Sequence, residues 1–389
     1  MQRIYFDHNA TTPVDPEVLG AMLPFFSGVY GNASSIHSFG QQARAAVEQA
    51  REQVARLVGA RAAEIVFTSG GTESDNLAIL GIVRASRAER KHVITAAIEH
   101  HAVLNTCEAL EAEGVEVTYL PVSGAGVVDP DAVRAALRPE TVLISVMTAN
   151  NEIGTIQPIE EIGLIAAEAD VWFHTDAVQA AGKLPLDVAR MGVDLLSLSG
   201  HKLYAPKGVG ALYVRSGARI APQSFGGHHQ RGRRPGTENV PGILALGKAA
   251  ELAVERMASE PARLAALRDR LEQAILSRVP ATRVNGAGAL RVPNTTNIVF
   301  SFIEGEALVI ALDLKGLACS TGAACSSGAI EASHVLTAIG LEPHEAHASL
   351  RFSLGRTTTE EEVDRAIELL PGVVEHLREL SPLYKKVSS

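Results

Sequence analysis

Between residues 64 and 215 the sequence alternates short apolar runs, rich in β-branched residues, with amphipathic segments. The apolar runs predict buried strands and the amphipathic segments predict helices. Predicted strands occupy residues 65–68, 93–97, 115–120, 142–147, 171–175, 195–198 and 210–214, and predicted helices occupy residues 75–84, 102–113, 130–137 and 159–167. This alternation predicts an α/β fold with a mainly parallel seven-stranded sheet covered by helices on both faces. Because residues 210–214 follow their neighbour too closely for a helical crossover, we expect that last pair to be antiparallel.

A chain of 389 residues is too long for one small core, so we predict two domains. The large domain would span residues 15–257 and hold the sheet. The small domain would combine the arm 1–14 with residues 258–389, which include the cysteine-containing loop around Cys325. Its pattern predicts helices at 261–276, 305–314 and 360–380 and strands at 295–302 and 349–353, an α+β arrangement.

Composition excludes several classes of protein. A hydrophobic content of 46% and a charged content of 20% are typical of a soluble globular protein. The net charge of -9 argues against direct nucleic-acid binding, which needs a basic patch. The three cysteines form no disulfide framework, so we expect a cytoplasmic setting. We find no apolar signal core at the N-terminus and no run long enough to span a bilayer, so we expect no membrane association.

Three polar features follow predicted strands. Lys202 comes just after the strand at 195–198, and a strand end in an α/β sheet faces the ligand crevice. Asp176 ends the run at 171–175, and Ser-Gly-Gly-Thr at 69–72 joins a strand to a helix. A lysine for a Schiff base, a carboxylate for a pyridine nitrogen and a helix N-terminus for a phosphate are the groups that pyridoxal phosphate needs. Taken singly, each has an ordinary alternative: a surface lysine, a capping aspartate, and a helix capped by Thr72.

Further candidates have similar alternatives. His100 and His101 follow the strand at 93–97, and an imidazole there could stack on a cofactor and move protons, whereas no ligand spacing supports a metal site. Cys325 lies in a small, polar, glycine-containing segment that we expect to be exposed and mobile, while Cys319 and Cys107 are predicted to be packed thiols. Arg351, on a predicted strand, could clamp a carboxylate in bidentate fashion, although a surface ion pair is the commoner fate of arginine.

Taken together, these motifs resemble the cysteine desulfurases of the NifS and IscS type, which are pyridoxal-phosphate enzymes of fold type I in the class-V aminotransferase group. The resemblance runs over nearly the whole chain, from residues 5–13 to residues 351–356. Its specific motifs are Thr-Ser-Gly-Gly-Thr-Glu at 68–73, Glu-His-His-Ala-Val-Leu at 99–104, Asn-Asn-Glu-Ile-Gly at 150–154, Asp-Ala-Val-Gln at 176–179, Ser-Gly-His-Lys at 199–202 and Ala-Cys-Ser-Ser-Gly at 324–328. Other pyridoxal-phosphate families share the lysine and the aspartate but not the cysteine segment.

The resemblance implies a role for each matching residue. Lys202 would carry the Schiff base, Asp176 would face the pyridine nitrogen, Gln179 the ring hydroxyl, and His100 would stack on the ring. The phosphate would be held by Gly71, Thr72, Ser199 and His201, and by Thr237 from the neighbouring subunit of a homodimer. Asn151 and Arg351 would hold the substrate carboxylate, and Cys325 would accept the sulfur. No metal ligand is implied.

The implied reaction converts L-cysteine to L-alanine and leaves a persulfide on Cys325. The cysteine segment resembles the longer-loop class of the family, which passes sulfur to scaffold or carrier proteins for iron–sulfur assembly or other sulfur-containing molecules. Three alternatives remain: a selenocysteine lyase, an aminotransferase, and a silent subunit that binds partners through residues 231–234. The intact set of Lys202, Asp176 and His100 argues against a silent subunit.

Overall fold

The structure is a computed structural model that describes residues 3–321, 332–382 and 384. Its strands are β1 (Ile4–Tyr5), β2 (Ile65–Thr68), β3 (His92–Ala96), β4 (Glu116–Leu120), β5 (Thr141–Ser145), β6 (Trp172–Asp176), β7 (Leu195–Ser199), β8 (Gly210–Val214), β9 (Thr282–Asn285), β10 (Thr295–Phe300), β11 (Leu317–Ala318), β12 (Ser320–Thr321) and β13 (Ser349–Ser353). The strand β9 and the short strands β1, β11 and β12 were not predicted, because two to four residues carry too little pattern.

The helices are α1 (Pro16–Met22), α2 (Pro24–Ser27), α3 (Ser38–Leu57), α4 (Gly71–Ala85), α5 (His101–Ala112), α6 (Pro130–Ala136), α7 (Ile159–Glu168), α8 (Val188–Met191), α9 (Val240–Arg256), α10 (Glu260–Arg278), α11 (Gly305–Leu314), α12 (His334–Ala338), α13 (Pro343–His347) and α14 (Glu360–Leu380). Short 3-10 turns cover Ala62–Glu64, Gly200–Lys202 and His229–Gly232. Among the described residues, no helix combines the length and apolar character needed to cross a membrane.

The main sheet has seven strands in the order β2-β8-β7-β6-β5-β3-β4. The pairs from β7 through β6, β5 and β3 to β4 are parallel, whereas β8 is antiparallel to both of its neighbours, β7 and β2. The predicted mainly parallel seven-stranded sheet and its antiparallel last pair are therefore confirmed. Because successive parallel strands end at the same edge, the polar residues that follow them are brought together there.

Successive residues along a strand are buried against helices on opposite faces of the sheet. In β2, Val66 packs in one apolar cluster with residues of α4 and α5, while its neighbours Ile65 and Phe67 belong to another that includes residues of α3, α7 and α9. Opposite faces of the sheet thus contact different helices, as the period of two in a strand requires. This two-sided burial explains why the strands appear as continuous apolar runs in the sequence.

The smaller sheet, in the order β12-β13-β10-β9, packs with α10 and α11, and α14 packs against both of these helices. The N-terminal arm joins this part, since β1 pairs with β11 in parallel, and Ile4 and Phe6 share an apolar cluster with Phe300, Phe352 and residues of α14. The prediction that residues 1–14 and 258–389 form one domain remains a proposal, and this shared cluster supports it. The arm then continues from the smaller sheet toward the end of β7.

Candidate active site

The carboxyl edge of the main sheet surrounds a cavity of about 300 Å³. Asp176 ends β6, Ser199 ends β7, and Lys202 lies in the 3-10 turn that follows β7 directly. The cavity is lined by Asn9, Ala10, Gly71, Thr72, Asp75, His100, Met147, Asn151, Asp176, Val178, Gln179, Ser199, His201, Lys202 and Arg351. Of the predicted site residues that the structure describes, all except Thr237 are therefore brought together.

Lys202 reaches the N-terminal arm from the opposite wall. Its Nζ donates hydrogen bonds to the carbonyl oxygens of Asn9 and Ala10, the latter at 2.7 Å. The arm is held against this turn by Thr12, whose backbone N–H and hydroxyl both donate to the His201 carbonyl oxygen at 3.0 Å. The alternative of an ordinary surface lysine is therefore wrong, because this amine lies in the cavity against the arm.

Asp176 is a buried carboxylate at the floor of the cavity. Its Oδ1 accepts a hydrogen bond from the Val178 backbone N–H at 2.8 Å. Burial raises the pKa of Asp176 to about 6, although that N–H and the Lys202 ammonium both lower it. Behind it lies a second buried carboxyl, Asp75, whose pKa is raised by burial and by the charge of Asp176. A cation facing Asp176, such as a protonated ring nitrogen, would offset this cost of desolvation.

His100 occupies the N-cap position of α5, on the cavity wall. Its Nδ1 accepts a hydrogen bond from the Ala102 backbone N–H at 3.1 Å. In the neutral ring the proton must therefore sit on Nε2. Burial, followed by the charge of Lys202, lowers the pKa of His100 to about 4. At neutral pH this imidazole is uncharged and offers one N–H donor.

Arg351, on β13, is a large charged side chain that the fold buries almost completely, with 2% of it exposed. Its Nη1 donates to the Asn151 carbonyl oxygen at 3.0 Å and its Nη2 to Asp7 Oδ1 at 2.8 Å. Within the described ranges no acceptor lies within hydrogen-bond distance of its buried Nε. The alternative of a surface ion pair is wrong, since Arg351 lines the cavity with a donor left for a ligand.

The end of the cavity beside α4 is built for an anion. Gly70 is the N-cap of α4, and no side chain caps the helix, so the alternative of a Thr72 cap is wrong. The helix begins at Gly71, not at residue 75 as predicted, because Gly70 adopts a backbone conformation with φ 159 that starts the first turn early. A Cβ on Gly71 would lie 2.9 Å from Val178 Cγ2. Gly71 and Thr72, in the first turn of α4, line the cavity beside Ser199 and His201, and the N-terminus of a helix is where a phosphate group binds.

Two residues of this site were not identified from the sequence. Asn9 Nδ2 donates to the Asn151 carbonyl oxygen at 3.1 Å, and Asn9 Oδ1 accepts from Lys183 Nζ at 3.3 Å. Lys183 also donates to Gln179 Oε1 at 2.8 Å. The four-residue spacing of Gln179 and Lys183 was a usable signal, because such a spacing in a helical turn brings side chains together. Asn9 had no such signal, since its partners are distant in sequence.

Two predicted site residues and the remaining cysteines complete the comparison with the sequence. Thr237 is exposed in the segment before α9 and does not line this cavity, as expected for a residue that serves a neighbouring subunit, a role that stays a prediction. Cys325 lies outside the described residues. Cys107 and Cys319 are buried thiols, as predicted. Burial raises the pKa of Cys107 to about 12 and raises that of Cys319 as well, so neither is an available thiolate.

The comparisons with known proteins agree with this geometry. The family model described as aminotransferase class-V matches residues 4–366. The cysteine desulfurase IscS of Methanosarcina thermophila is 54% identical over 384 residues, which cover 98% of this chain and 95% of that protein. The cysteine desulfurase IscS of Dictyoglomus turgidum is 50% identical over 385 residues, which cover 99% and 98%.

Solved structures give the same result. A NifS-like protein superposes with a TM-score of 0.91 at 37% identity, over 97% of this chain and 100% of that one. A structure described as SspA in complex with cysteine superposes with a TM-score of 0.81 at 41% identity, over 90% of this chain and 98% of that one. The fold, with its seven-stranded sheet and its smaller sheet, is therefore that of fold type I.

Proposed function

Since the chain belongs to the aminotransferase class-V family, and within it to the cysteine desulfurases, we propose that it converts L-cysteine to L-alanine and passes the sulfur on as a persulfide of Cys325. The observation that carries the proposal is that Lys202, Asp176, His100 and Arg351 line one cavity. A lysine amine, a buried carboxylate, a neutral imidazole and a guanidinium are the groups needed to process an amino acid on pyridoxal phosphate. The cysteine bound in the related SspA structure supports the choice of substrate.

The cofactor would be held by residues at both ends of the cavity. Gly71, Thr72, Ser199 and His201 would bind its phosphate at the N-terminus of α4, and Lys202 would hold it through the side-chain amine. Asp176 would face the ring nitrogen, His100 would stack on the ring, and Gln179 would contact the ring hydroxyl. When bound, pyridoxal phosphate supplies an electron sink for charge that develops on the substrate.

Arg351 and Asn151 would bind the substrate carboxylate. The guanidinium is already oriented by the Asn151 carbonyl oxygen and by Asp7, so little rotamer freedom is lost when a ligand binds. Its buried Nε still has a hydrogen to donate. A carboxylate in this position would make charge-assisted bonds in a water-poor environment, which fixes the amino group of the substrate relative to Lys202.

Lys202 would move the protons of the reaction. Its Nζ lies beside the carbonyl oxygens of Asn9 and Ala10, which hold it at the cavity wall. From there the amine takes the proton from the substrate Cα and delivers a proton to Cβ after the sulfur has left. His100, neutral at its low pKa, donates or accepts a proton at Nε2 without adding charge to the cavity.

Cys325 would take the sulfur as a thiolate. Its Sγ attacks the substrate sulfur, an S–S bond forms, and the Cβ–S bond breaks with its electron pair remaining on the carbon side. L-alanine is completed by return of the proton to Cα and by a second proton at Cβ, which matches the one that Cys325 gave up on becoming a thiolate, and the persulfide remains on Cys325. The balance is one L-cysteine and one thiol giving one L-alanine and one persulfide, so no external oxidant or reductant is required.

The later steps require partners. We propose that the persulfide sulfur goes to scaffold or carrier proteins, for iron–sulfur cluster assembly or other sulfur-containing molecules, as the IscS name of several relatives suggests. We also propose a homodimer in which Thr237 reaches the phosphate of the neighbouring subunit. The absence of a disulfide pattern among three cysteines supports a cytoplasmic setting.

The test is a turnover assay with purified protein, pyridoxal phosphate, L-cysteine and a thiol reductant. We expect L-alanine and sulfide in equal amounts from the wild type, and a visible absorption band that borohydride removes. Lys202→Ala should lose both, whereas Lys315→Ala, which changes an exposed lysine after α11, should keep both. A borohydride-reducible linkage in Lys202→Ala, or wild-type protein that forms no alanine, would overturn the proposal.

A further inference from the structure

Lys183 is a second amine, placed behind the residues that line the cavity, and the proposed mechanism does not use it. Its Nζ donates to Gln179 Oε1 at 2.8 Å and to Asn9 Oδ1 at 3.3 Å. Both acceptors line the cavity, whereas Lys183 stands behind them. An ammonium has three donors and no acceptor, so any amide that faces it must turn its oxygen toward it. The Lys183 ammonium therefore fixes the Gln179 amide with its Oε1 toward Nζ.

This orientation decides what Gln179 presents to the cavity. With Oε1 on Lys183, the amide nitrogen must point the other way, and Nε2 donates to the Asn9 carbonyl oxygen at 3.1 Å. The same carbonyl oxygen also accepts from Lys202 Nζ. With one Nε2 hydrogen used in this way, the second remains for an acceptor in the cavity that Gln179 and Lys202 both line. A donor in that place selects an oxygen acceptor, and the more negative the oxygen, the stronger the bond.

Asn9 is fixed by the same amine. Its Oδ1 accepts from Lys183 and, at 3.1 Å, from Asn294 Nδ2, so its own Nδ2 is turned toward Thr295 Oγ1 and the Asn151 carbonyl oxygen. That carbonyl oxygen also orients Arg351. One side chain therefore connects the Gln179 side of the cavity with the Arg351 side.

The charged groups that act most strongly on Lys183 are themselves cations. The cations nearest to it are Lys202 and Arg351, and these, after burial itself, lower the pKa of Lys183 to about 7. His8 lies close enough for the Lys183 charge to lower its pKa further, after burial, to about 4, so His8 is neutral. Asp7 is already paired with Arg351. An anion bound in the cavity would favour the charged form of Lys183 over the neutral amine.

We propose that Lys183 is a positioning residue of the active site: it holds the Gln179 amide with its donor toward the cofactor, and its positive charge favours a negative oxygen next to Lys202. The inference rests on the proposed function, because the oxygen in question is the ring hydroxyl oxygen of pyridoxal phosphate. It adds a residue to which the motifs assigned no role.

The test is a pH titration of the visible absorption band of the cofactor-loaded protein. A cation next to the nitrogen of Lys202 disfavours protonation of that nitrogen once it is joined to the cofactor, and so does a donor on the neighbouring oxygen. Removing the Lys183 charge, and with it the group that orients the Gln179 donor, should therefore raise the titration midpoint. We expect Lys183→Met to raise it by about one pH unit, the lower end of what a nearby charge produces. Lys183→Arg, which keeps charge and donors, should stay near the wild-type midpoint, and so should the exposed control Lys315→Met.

A double-mutant cycle distinguishes a positioning role of Lys183 from a general disturbance of the fold. Gln179→Leu should raise the midpoint too, and in Lys183→Met/Gln179→Leu the shift should be smaller than the sum of the single shifts, because Lys183 acts partly through Gln179. A folded Lys183→Met that titrates with the wild type, or strictly additive shifts, would overturn the inference. If Lys183→Met does not fold, Lys183→Gln replaces it, with the same expected rise from the lost charge and the same overturning result.

These results separate the inference from the proposed function. A wild-type protein that forms no absorption band with pyridoxal phosphate would contradict the proposed function itself. A wild type that forms the band, a Lys202→Ala variant that does not, and a Lys183→Met variant with an unchanged midpoint would contradict only the role of Lys183.

Discussion

Arg351 and Asp7 form a buried ion pair in which Nη2 donates to Oδ1 at 2.8 Å, and it ties β13 to the N-terminal arm. The arginine side chain is 2% exposed and the aspartate side chain 18%. Asp7 thus occupies one donor of the residue proposed to bind the substrate carboxylate. The pair keeps the guanidinium in place while the cavity is empty of substrate, and it leaves Nε for the ligand.

The first prediction concerns this pair. Asp7→Ala should raise the KM for cysteine about tenfold, the effect of one hydrogen bond to a charged group, because Arg351 loses an acceptor that orients it. Asp7→Asn keeps an oxygen at that position and should change KM less. Arg351→Lys should be worse than either, since an ammonium lacks the planar fork. Steady-state kinetics with the cofactor spectrum as control would check this. An unchanged KM in Arg351→Lys would contradict the assignment.

The second prediction concerns Thr237 and the dimer. Lys202→Ala and Thr237→Asp should each be inactive, the second because an added carboxylate repels the phosphate. If sites are shared, a heterodimer of the two contains one intact site, so mixing equal amounts under subunit exchange should restore about a quarter of wild-type activity. Mixing Lys202→Ala with the double variant Lys202→Ala/Thr237→Asp serves as the control and should restore nothing. A protein that light scattering shows to be a monomer and that has full activity would rule out shared sites.

The third prediction concerns Cys325. Cys325→Ser and Cys325→Ala should lose desulfuration of cysteine and keep the cofactor spectrum, because the thiolate attacks sulfur and does not hold the cofactor. Cys107→Ala is the matched control, since that thiol is buried in α5 with a raised pKa. Mass spectrometry after one turnover should place the added sulfur on the peptide that contains Cys325. Full activity in the Cys325 variants, or sulfur only on Cys319 or Cys107, would instead favour a lyase or an aminotransferase.

Selenocysteine provides a further discrimination for the same variants. Selenium leaves carbon more easily than sulfur does, so turnover of selenocysteine should survive better than that of cysteine when Cys325 is replaced. Equal loss with both substrates would show that Cys325 supports an earlier step, such as substrate binding, and would contradict the sulfur-acceptor role.

The fourth prediction concerns stability and pH. His174 is fully buried between Ser145 and Ser197, and burial lowers its pKa to about 3, whereas the unfolded value is near 6.5. Below pH 6.5 the unfolded chain therefore binds a proton that the folded protein refuses until about pH 3. This group leaves stability unchanged above pH 6.5 and lowers it as pH falls, by about 2 kcal/mol between pH 6.5 and 5.

Unfolding of cofactor-free protein at several pH values would measure this effect. His174→Gln keeps hydrogen bonds to the two serines without a titrating ring, so its stability should fall less than that of the wild type between pH 7 and 5. His228→Gln, at an exposed position, should follow the wild type. Buried groups such as Glu152, whose pKa burial raises to about 7, contribute equally to all three proteins and cancel in the comparison. Parallel curves for the wild type and His174→Gln would contradict the prediction.

Much of the main sheet was predictable from the sequence. Its strands are buried on both faces, so they appear as apolar runs, and β8 could be recognised as antiparallel from the short connection after β7. The motif residues Lys202, Asp176 and His100 could be placed at strand ends because each follows one of these apolar runs. The beginning of α4 at Gly71 was misjudged, because the conformation of Gly70, and not a capping side chain, sets it.

The features that could be derived from the sequence are therefore local: the period of each segment, the order of strands and helices, and the residue types at the strand ends. Which of these residues meet depends on how the chain folds in three dimensions. Asn9 reaches Asn151, Thr295 and Lys183, and Arg351 reaches Asp7 across 344 positions of the chain. Such partners leave no periodic signal, because a hydrogen bond between distant segments depends on how the arm crosses the carboxyl edge of the sheet. The roles proposed for Lys183 and Asp7 follow from that crossing.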